Sequence, residues 1–207
     1  MPFPVSVDAA PAYAGRNRLT TFFRLLLAIP HLILVGGVGF AFGARNDNRS
    51  AGGEGGLLGA VAVFLAIVSW FTLVFAGTHI VGIRQFTNFY LRWRVRAISY
   101  LMLLEDPYPP FGDAPYPASI EIVEPVGPRG RLGIALRLLY AIPHLIVLFF
   151  VIIAWGFTTV AAWFLILFTG AYPKALFDFG VGAMRWRLRV EAYMLLMVDA
   201  YPPFSLE

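Results

Sequence analysis

The sequence predicts an all-α integral membrane protein made of two copies of one helical unit. Three observations support this prediction. The chain has 207 residues, of which 59% are hydrophobic and only 14% charged, whereas soluble domains carry about 25% charged residues. An unbroken apolar stretch of 41 residues runs from Leu132 to Tyr172 and holds one charge, Arg137, and one histidine, His144. A similar stretch occurs earlier in the chain.

The two copies align with two different offsets. Up to the histidine the offset is 113 residues, and the motif Ala-Ile-Pro-His occurs at residues 28–31 and again at 141–144. After the apolar stretch the offset is 93 residues, and Tyr-Pro-Pro-Phe occurs at 108–111 and 201–204. The first copy therefore has 20 extra residues, which we assign to a loop around residues 44–56 that is rich in Gly, Asn and Ser.

Each copy is a predicted domain, residues 1–113 and 114–207, with a proline-rich boundary. It begins with an extended segment or edge strand, where polar and apolar residues alternate near prolines. Two spanning helices follow, because about 20 helical residues cross the hydrocarbon. A helix rich in arginine and aromatic residues comes last, and Tyr-Pro-Pro-Phe ends it. The predicted segments are 3–7, 19–43, 57–80 and 84–104 in the first copy and 116–122, 132–154, 157–173 and 177–198 in the second.

Pro30 and Pro143 fall inside the first predicted spanning helix of each copy. They could instead begin this helix, since proline is tolerated in the first helical turn. The 30 residues from Pro143 to Tyr172 are too few for two crossings of about 20 residues each. We therefore predict helices that run through the prolines with a kink.

The distribution of basic residues predicts the topology. Of 16 lysines and arginines, only Arg45 and Arg49 lie in the first hairpin loop, none lies in the second turn, and the other 14 lie on the opposite side. Cytoplasmic segments carry an excess of Lys and Arg, so we expect both termini in the cytoplasm. A signal peptide is not expected, because the apolar segment after Arg18 is too long and recurs inside the chain.

The arginine-rich helices are predicted to lie in the membrane interface. An arginine at the bilayer centre costs at least ~2.5 kcal/mol, whereas arginine and tryptophan suit the headgroup region and attract anionic lipid. If these helices span instead, the copies become inverted repeats of three helices each. Nucleic-acid binding is not expected, because the aromatic residues are needed against lipid. The residues assigned to lipid and interface contacts are Arg92, Trp93, Arg94, Arg96, Arg185, Trp186, Arg187 and Arg189.

Four polar residues are predicted inside the membrane: Arg24, His31, Arg137 and His144. Within each copy the arginine and the histidine are seven residues apart and share a helix face. In one interpretation they hydrogen-bond carbonyls freed by the proline or bridge to a neighbouring helix. In a second they line a polar path or ion site where the copies meet. In a third the two histidines ligate a b-type haem. Apart from that haem, no cofactor and no metal site is expected.

Two acidic residues, Asp178 and Glu191, occur only in the second copy. We expect them to pair with Lys174, Arg185 or Arg187, which lie at helical spacing. An acid–base catalytic pair would also require a pocket around them.

Asp106 and Asp199 do match each other, two residues before each Tyr-Pro-Pro-Phe, and an Asx turn explains that position. Gly39 and Gly43 have the G-x-x-x-G spacing of helix-packing motifs, without a counterpart in the second copy. Cysteine is absent, which excludes disulfides, thiolate metal sites and a cysteine nucleophile.

These motifs together resemble the bacterial domain of unknown function 4389. The second copy carries them at residues 141–144, 163–164, 177–179, 185–190 and 201–206. The first copy departs from the pattern, with Arg84-Gln85-Phe86 in place of Phe-Asp-Phe and with the longer loop. The resemblance covers nearly the whole chain as a tandem pair. It implies an integral membrane protein, and it implies no activity. The localisation that we expect is the bacterial inner membrane, which the chain would cross several times.

The expected function is that of a non-catalytic membrane protein: an accessory, anchoring or scaffold subunit that contacts lipid and other membrane subunits. The loops are too short for a soluble catalytic domain, and no phosphate loop, nucleophile elbow or metal-binding cluster occurs in the sequence. We expect the copies to pack about a pseudo-twofold axis along the membrane normal. The alternative is transport or permeation of ions or small solutes, or lipid handling, at the cleft between the copies.

Overall fold

The computed structural model describes residues 3–40, 55–112, 114–125, 127 and 129–207. It is mostly helical, as predicted, and most of the predicted loop around residues 44–56 lies outside the described residues. In chain order the elements are β1 (Val5–Ala9), α1 (Arg18–Phe22), α2 (Arg24–Val35), α3 (Gly56–Phe71) with a π-helical turn (Thr72–Ala76), α4 (Val81–Leu101), β2 (Ala118–Ile122), α5 (Arg131–Ala135), α6 (Arg137–Thr169) and α7 (Lys174–Met194).

The apolar stretch of the second copy forms one helix and not the predicted hairpin. Because α6 continues without interruption from Arg137 to Thr169, the predicted turn between residues 154 and 157 is wrong. The residues there are apolar apart from Gly156, and an isolated glycine is tolerated inside a helix. Trp155, which is fully buried, holds this part of α6 against the protein. Pro143 lies inside α6, as predicted.

In the first copy the same long helix is divided. α2 ends at Val35, short of the predicted end at residue 43, because Gly36 adopts a φ of 74°. A Cβ atom at Gly56 would lie 2.5 Å from the Gly36 nitrogen, so α3 begins directly against the end of α2. By the two offsets, the 12 residues of α2 match the start of α6, and the 21 residues of Gly56–Ala76 match its remainder. The extra residues of the first copy therefore interrupt one long helix.

Two helices among the described residues are long and apolar enough to cross a membrane, Gly56–Ala76 and Arg137–Thr169. The prediction was four; α2, with 12 residues, is shorter than the roughly 20 residues of a crossing. Large apolar side chains on both long helices are exposed, as Phe75 (70%) and Phe157 (74%) illustrate. Extended apolar surface of this kind is typical of contact with lipid or another protein, and it indicates association with a membrane.

The predicted extended segments are strands that pair with each other. β1 and β2 are antiparallel, with Val7 opposite Ile120. These two residues match at the offset of 113, so this pair lies on the twofold axis that relates the copies. The buried face of the sheet consists of Val5, Val7, Ala118 and Ile120, and its outer face carries the exposed side chains of Ser6, Asp8, Ser119 and Glu121.

The arginine-rich helices form the centre of the fold. α4 and α7 run antiparallel, because Arg84 donates to the carbonyl of Met197 at one end (3.2 Å) and Leu104 lies beside Gly180 at the other. β2 and the two parts of the divided helix pack on α4, while β1 and α6 pack on α7. A twofold axis that relates antiparallel helices is perpendicular to them. The axis therefore passes through the sheet and between α4 and α7.

Two reciprocal seams join the copies. In the first seam, α1 lies against α6, and Trp163 Nε1 donates to the carbonyl of Thr21 at 2.9 Å. In the second seam, α5 lies against the π-helical turn, and Trp70 Nε1 donates to the carbonyl of Ile134 at 3.1 Å. Both tryptophans and both acceptors match at the offsets found in the sequence. The start of each copy is thus held against the end of the other copy's long helix.

Candidate functional site

An arginine, an aspartate and a tyrosine form the same cluster in each copy. In the first copy Arg24 Nη2 lies 2.8 Å from Asp106 Oδ1, and Nη1 donates to the carbonyls of Glu105 (2.6 Å) and Tyr100 (3.3 Å). The guanidinium also lies 4.2 Å from the centroid of the Tyr100 ring. Several hydrogen bonds together with an ion pair compensate for burial of the charge.

The second copy repeats this cluster closely. Arg137 Nη2 lies 2.7 Å from Asp199 Oδ1, and Nη1 donates to the carbonyls of Val198 (2.8 Å) and Tyr193 (3.1 Å). Each predicted intramembrane arginine therefore bridges to the end of the arginine-rich helix of its own copy. This placement corresponds to the first of the three interpretations drawn from the sequence.

Each aspartate holds a second arginine, which the sequence interpretation missed. Arg16 Nη2 lies 3.2 Å from Asp106 Oδ1, and Arg129 Nε lies 2.8 Å from Asp199 Oδ2. The Asx-turn interpretation of the aspartates is therefore replaced by an ion-pair role. A signal was present in the sequence, since both arginines and both aspartates match between the copies in a chain with few charges.

Two strained leucines complete these clusters. Leu103 has a φ of 63° and Leu196 a φ of 64°, and a non-glycine residue in this left-handed region costs about 1–3 kcal/mol. Arg16 donates to the carbonyl of Leu103, and Arg129 donates to that of Leu196 at 3.0 Å. The arginines thus stabilise the turns that end α4 and α7. Nothing in the sequence marks these leucines.

Each histidine is held by its own copy. Trp93 Nε1 donates to His31 Nδ1 at 3.0 Å, and Phe111 stacks on the imidazole with ring centroids 4.6 Å apart. The Pro109 carbonyl interacts with the same imidazole, although no described group meets hydrogen-bond geometry with Nε2.

His144 has the equivalent surroundings in the second copy. It accepts from Trp186 Nε1 at 3.2 Å, and Phe204 stacks on it at 3.8 Å. Both tryptophans, predicted to lie in the interface, are buried. The structure places each histidine against its own copy's tryptophan and Tyr-Pro-Pro-Phe loop. The b-type haem stays a prediction.

The centre of the molecule holds a charge cluster that lacks this symmetry. Glu191 Oε2 lies 3.1 Å from Arg94 Nε and 3.0 Å from Arg187 Nη1, and all three side chains have no exposed area. The matching residue of the first copy is Ile98. The expected pairing of Glu191 with Arg187 is confirmed, and so is that of Asp178 with Lys174.

Backbone carbonyls near the start of the 20 extra residues of the first copy accept further hydrogen bonds from these two buried arginines. Arg94 donates to the carbonyls of Val35 (2.8 Å) and Gly39, and Arg187 donates to those of Val38 and Gly39. Gly39 therefore accepts hydrogen bonds in a non-helical segment, and it does not pack a helix as the G-x-x-x-G spacing predicts. Gly43 lies outside the described residues.

The outer arginines of α7 bind a strand. Arg185 Nε donates to the carbonyl of Val7 at 3.0 Å, and Arg189 Nε donates to that of Val5 at 3.3 Å. Arg92 and Arg96, at the matching positions of α4, line a cleft with β2. Residues two apart on a helix point to nearly opposite sides, which is why the Arg-Trp-Arg-x-Arg motif contacts the sheet on one side and the central cluster on the other.

Two acidic groups at the ends of α4 and α7 have shifted pKa values. Burial alone would raise the pKa of Asp199, but hydrogen bonds from Arg129 and Arg137 outweigh it, and the pKa of Asp199 is lowered. Burial raises the pKa of Glu105 to about 7, against the opposing effect of Arg16. Glu105 is only 3% exposed. Val198 takes its place in the second copy.

A groove of about 320 Å³ opens at each seam. The first-seam groove is lined by Arg24, Leu25, Leu101, Thr159, Trp163 and Phe164. The second-seam groove has an equal volume and is lined by Arg137, Leu138, Met194, Ala66, Trp70 and Phe71. These six pairs match at the sequence offsets, so the grooves are related by the twofold axis.

No group of three or more His, Asp or Glu side chains that could hold a metal ion occurs among the described residues. The buried arginines contact carboxylates and carbonyls of the same chain, as set out above.

A family model matches residues 55–112 and 131–205, and it describes the domain of unknown function DUF4389. The first matched segment contains α3 and α4 of the first copy, and the second contains α5, α6 and α7 of the second copy. No curated protein and no solved structure matches the chain.

We expect Glu191→Gln to destabilise the protein strongly. Removal of one partner from a buried ion pair costs about 3–5 kcal/mol, and here two guanidiniums lose their carboxylate. Thermal unfolding of the purified protein in mild detergent measures the effect. Adding Arg94→Met should restore part of the stability, because one uncompensated cation is removed. Glu121→Gln, on the exposed face of the sheet, is the control. An unchanged melting temperature for Glu191→Gln would contradict the central role of this carboxylate.

The stability of the wild-type protein should fall between about pH 4.5 and pH 7, and Glu105→Gln should remove this dependence. The Glu105 carboxyl has a pKa of about 7 in the fold against an ordinary value of 4.5. The folded state therefore binds the proton more tightly than the unfolded chain, and stability is lost as the pH rises through this window. Melting temperatures at pH 5 and pH 7.5 test this, with Glu121→Gln as the control. Parallel pH profiles for the wild type and Glu105→Gln would refute it.

Proposed function

The chain belongs to the DUF4389 family, whose function is unknown, and from this premise we propose that it is a non-catalytic integral membrane protein that acts as an accessory or anchoring subunit. The proposal rests on one observation, the distribution of polar and apolar side chains in the protein. The buried charges pair within the chain, the long helices expose apolar side chains, and the sheet exposes polar ones.

The twofold axis suggests the orientation in the membrane. If α4 and α7 spanned the bilayer, the axis would lie in the membrane plane at mid-depth. The outer face of the sheet, with Asp8 and Glu121 exposed, would then lie in hydrocarbon, where charges are very costly. An axis along the membrane normal instead places the sheet in water and the apolar surface of the long helices in lipid. This orientation puts β1 and β2 on one side of the membrane.

Basic residues favour the cytoplasm for that side. The segments around the sheet contain Arg16, Arg18, Arg129 and Arg131, and cytoplasmic segments carry the excess of Lys and Arg. We therefore propose a multi-pass protein of the inner membrane with both termini in the cytoplasm. The polar outer face of the sheet would remain available to a partner subunit.

Lipid handling at the junction of the copies is a second candidate function. It is favoured by the two seam grooves, which are apolar apart from one arginine each and one threonine in the first. Permeation of ions has less support, because Arg24 and Arg137 are bonded within their own copies.

Cysteine labelling tests the orientation, and the chain has no cysteine of its own. We expect Ser6→Cys and Ser119→Cys to react with an impermeant maleimide in inverted vesicles but not in intact cells. Ile120→Cys, on the buried face of the sheet, is the control and should stay unlabelled in both. Labelling of either serine position from outside intact cells, or labelling of the two positions from different sides, would exclude the proposed orientation.

Crosslinking tests the role as a subunit. Solubilisation of native membranes in mild detergent should release the protein in an assembly larger than a monomer, and mass spectrometry should find a reproducible membrane partner. Glu121→Arg, which reverses a charge on the exposed face of the sheet, should weaken that association if the partner binds there. A lone monomer after crosslinking, in every detergent that keeps the fold, would contradict the proposal.

A further inference from the structure

The seam grooves combine apolar walls with a buried cation. Leu25 (72% exposed) and Phe164 (51%) place the mouth of the first-seam groove on the exposed apolar surface. Leu138 (56%) and Phe71 (52%) do the same for the second. A volume of about 320 Å³ falls at the small end of the range for small-molecule pockets. Each groove is therefore open to lipid along its side.

Residues that line these grooves carry hydrogen-bonding atoms without a partner. Arg24 and Arg137 are 1% and 3% exposed, and the Nε of each is buried without a hydrogen-bond acceptor among the described residues. In the first-seam groove the hydroxyl of Thr159 is also buried without a partner. A buried donor without an acceptor costs about 1–3 kcal/mol, so a small movement of the arginine that lets a ligand oxygen reach Nε would be favoured.

The charge balance favours an anion. Asp199 is shared by Arg129 and Arg137, which leaves one positive charge beside the second-seam groove. Asp106 is likewise shared by Arg16 and Arg24, with Glu105 close to Arg16. Since Val198 replaces Glu105 in the second copy, the second-seam groove is the more electropositive of the two.

We propose that each seam groove binds one anionic phospholipid of the bilayer, with an acyl chain along the apolar wall and an ester or phosphate oxygen at the arginine Nε. This inference rests on the membrane placement proposed above. The lipid would bridge the two copies, because each groove has walls from both. The two sites should differ: Thr159 adds a hydrogen bond in the first, and the larger net charge gives the second the stronger preference for an anionic headgroup.

Native mass spectrometry of the full chain, released from mild detergent with added phosphatidylglycerol, tests the proposal. We expect two retained lipids in the wild type. Val160→Phe and Ile67→Phe, at matching wall positions of the first and second grooves, should each leave one, and the double variant none. Val147→Phe makes the same change at an exposed position of α6 that lines neither groove, and it should retain two. Thr159→Val should weaken binding in the first groove about fivefold, the effect of one hydrogen bond.

Three results would overturn the proposal. The first is a broad distribution of bound lipid that neither wall variant changes. The second is retention of phosphatidylcholine, with the same acyl chains, equal to that of phosphatidylglycerol. The third is displacement of the lipid by inorganic phosphate alone, which would indicate a free-anion site. If cysteine labelling supports the membrane orientation while no lipid is retained, this inference fails and the proposed function stands.

Discussion

Two arginines, Arg94 and Arg187, meet at the twofold axis with no exposed area, and the fold depends on their compensation. Glu191 supplies one carboxylate for the two cations, so one positive charge remains to be balanced by dipoles. The carbonyls of residues 35–39 supply them. Carbonyls inside a continuous helix are used within it, whereas the last four carbonyls of a helix have no partner there. The break after Val35 therefore makes carbonyls available to the charges at the centre.

This requirement explains why the two copies differ where they do. A single carboxylate between two symmetry-related arginines can come from only one copy, and here one copy carries Glu191 and the other Ile98. The first copy contributes the interrupted helix that brings carbonyls to both arginines, while α6 stays continuous in the second. Away from the axis the symmetry is retained, as the clusters around Asp106 and Asp199 show.

The sequence was sufficient for the repeat, the helical content, the helices through both prolines and the strands, because each depends on local pattern or on matching motifs. It was insufficient for the continuous α6, since an apolar run of this length is compatible with one helix or two. It did not identify the contacts of the arginine-rich helices, because composition alone cannot distinguish Arg94 in a headgroup region from Arg94 beside a carboxylate 97 residues later. The ion pairs of Asp106 and Asp199 were accessible through their matching arginines. The left-handed Leu103 and Leu196 were not, because their geometry is set by tertiary contacts.

Pairing within the chain also explains how a protein poor in charge can bury two helices that each carry an Arg-Trp-Arg-x-Arg motif. Exposed to hydrocarbon, each of these arginines would cost at least ~2.5 kcal/mol. In the fold these arginines instead bond to Glu191 near the axis and to the strand carbonyls, and they hold the sheet, α4, α7 and the extra residues of the first copy together. Apolar side chains of the long helices can then form the outer surface. Arg24 and Arg137, whose Nε atoms have no acceptor among the described residues, line the seam grooves, where the surface is apolar and the proposed lipid would supply an acceptor.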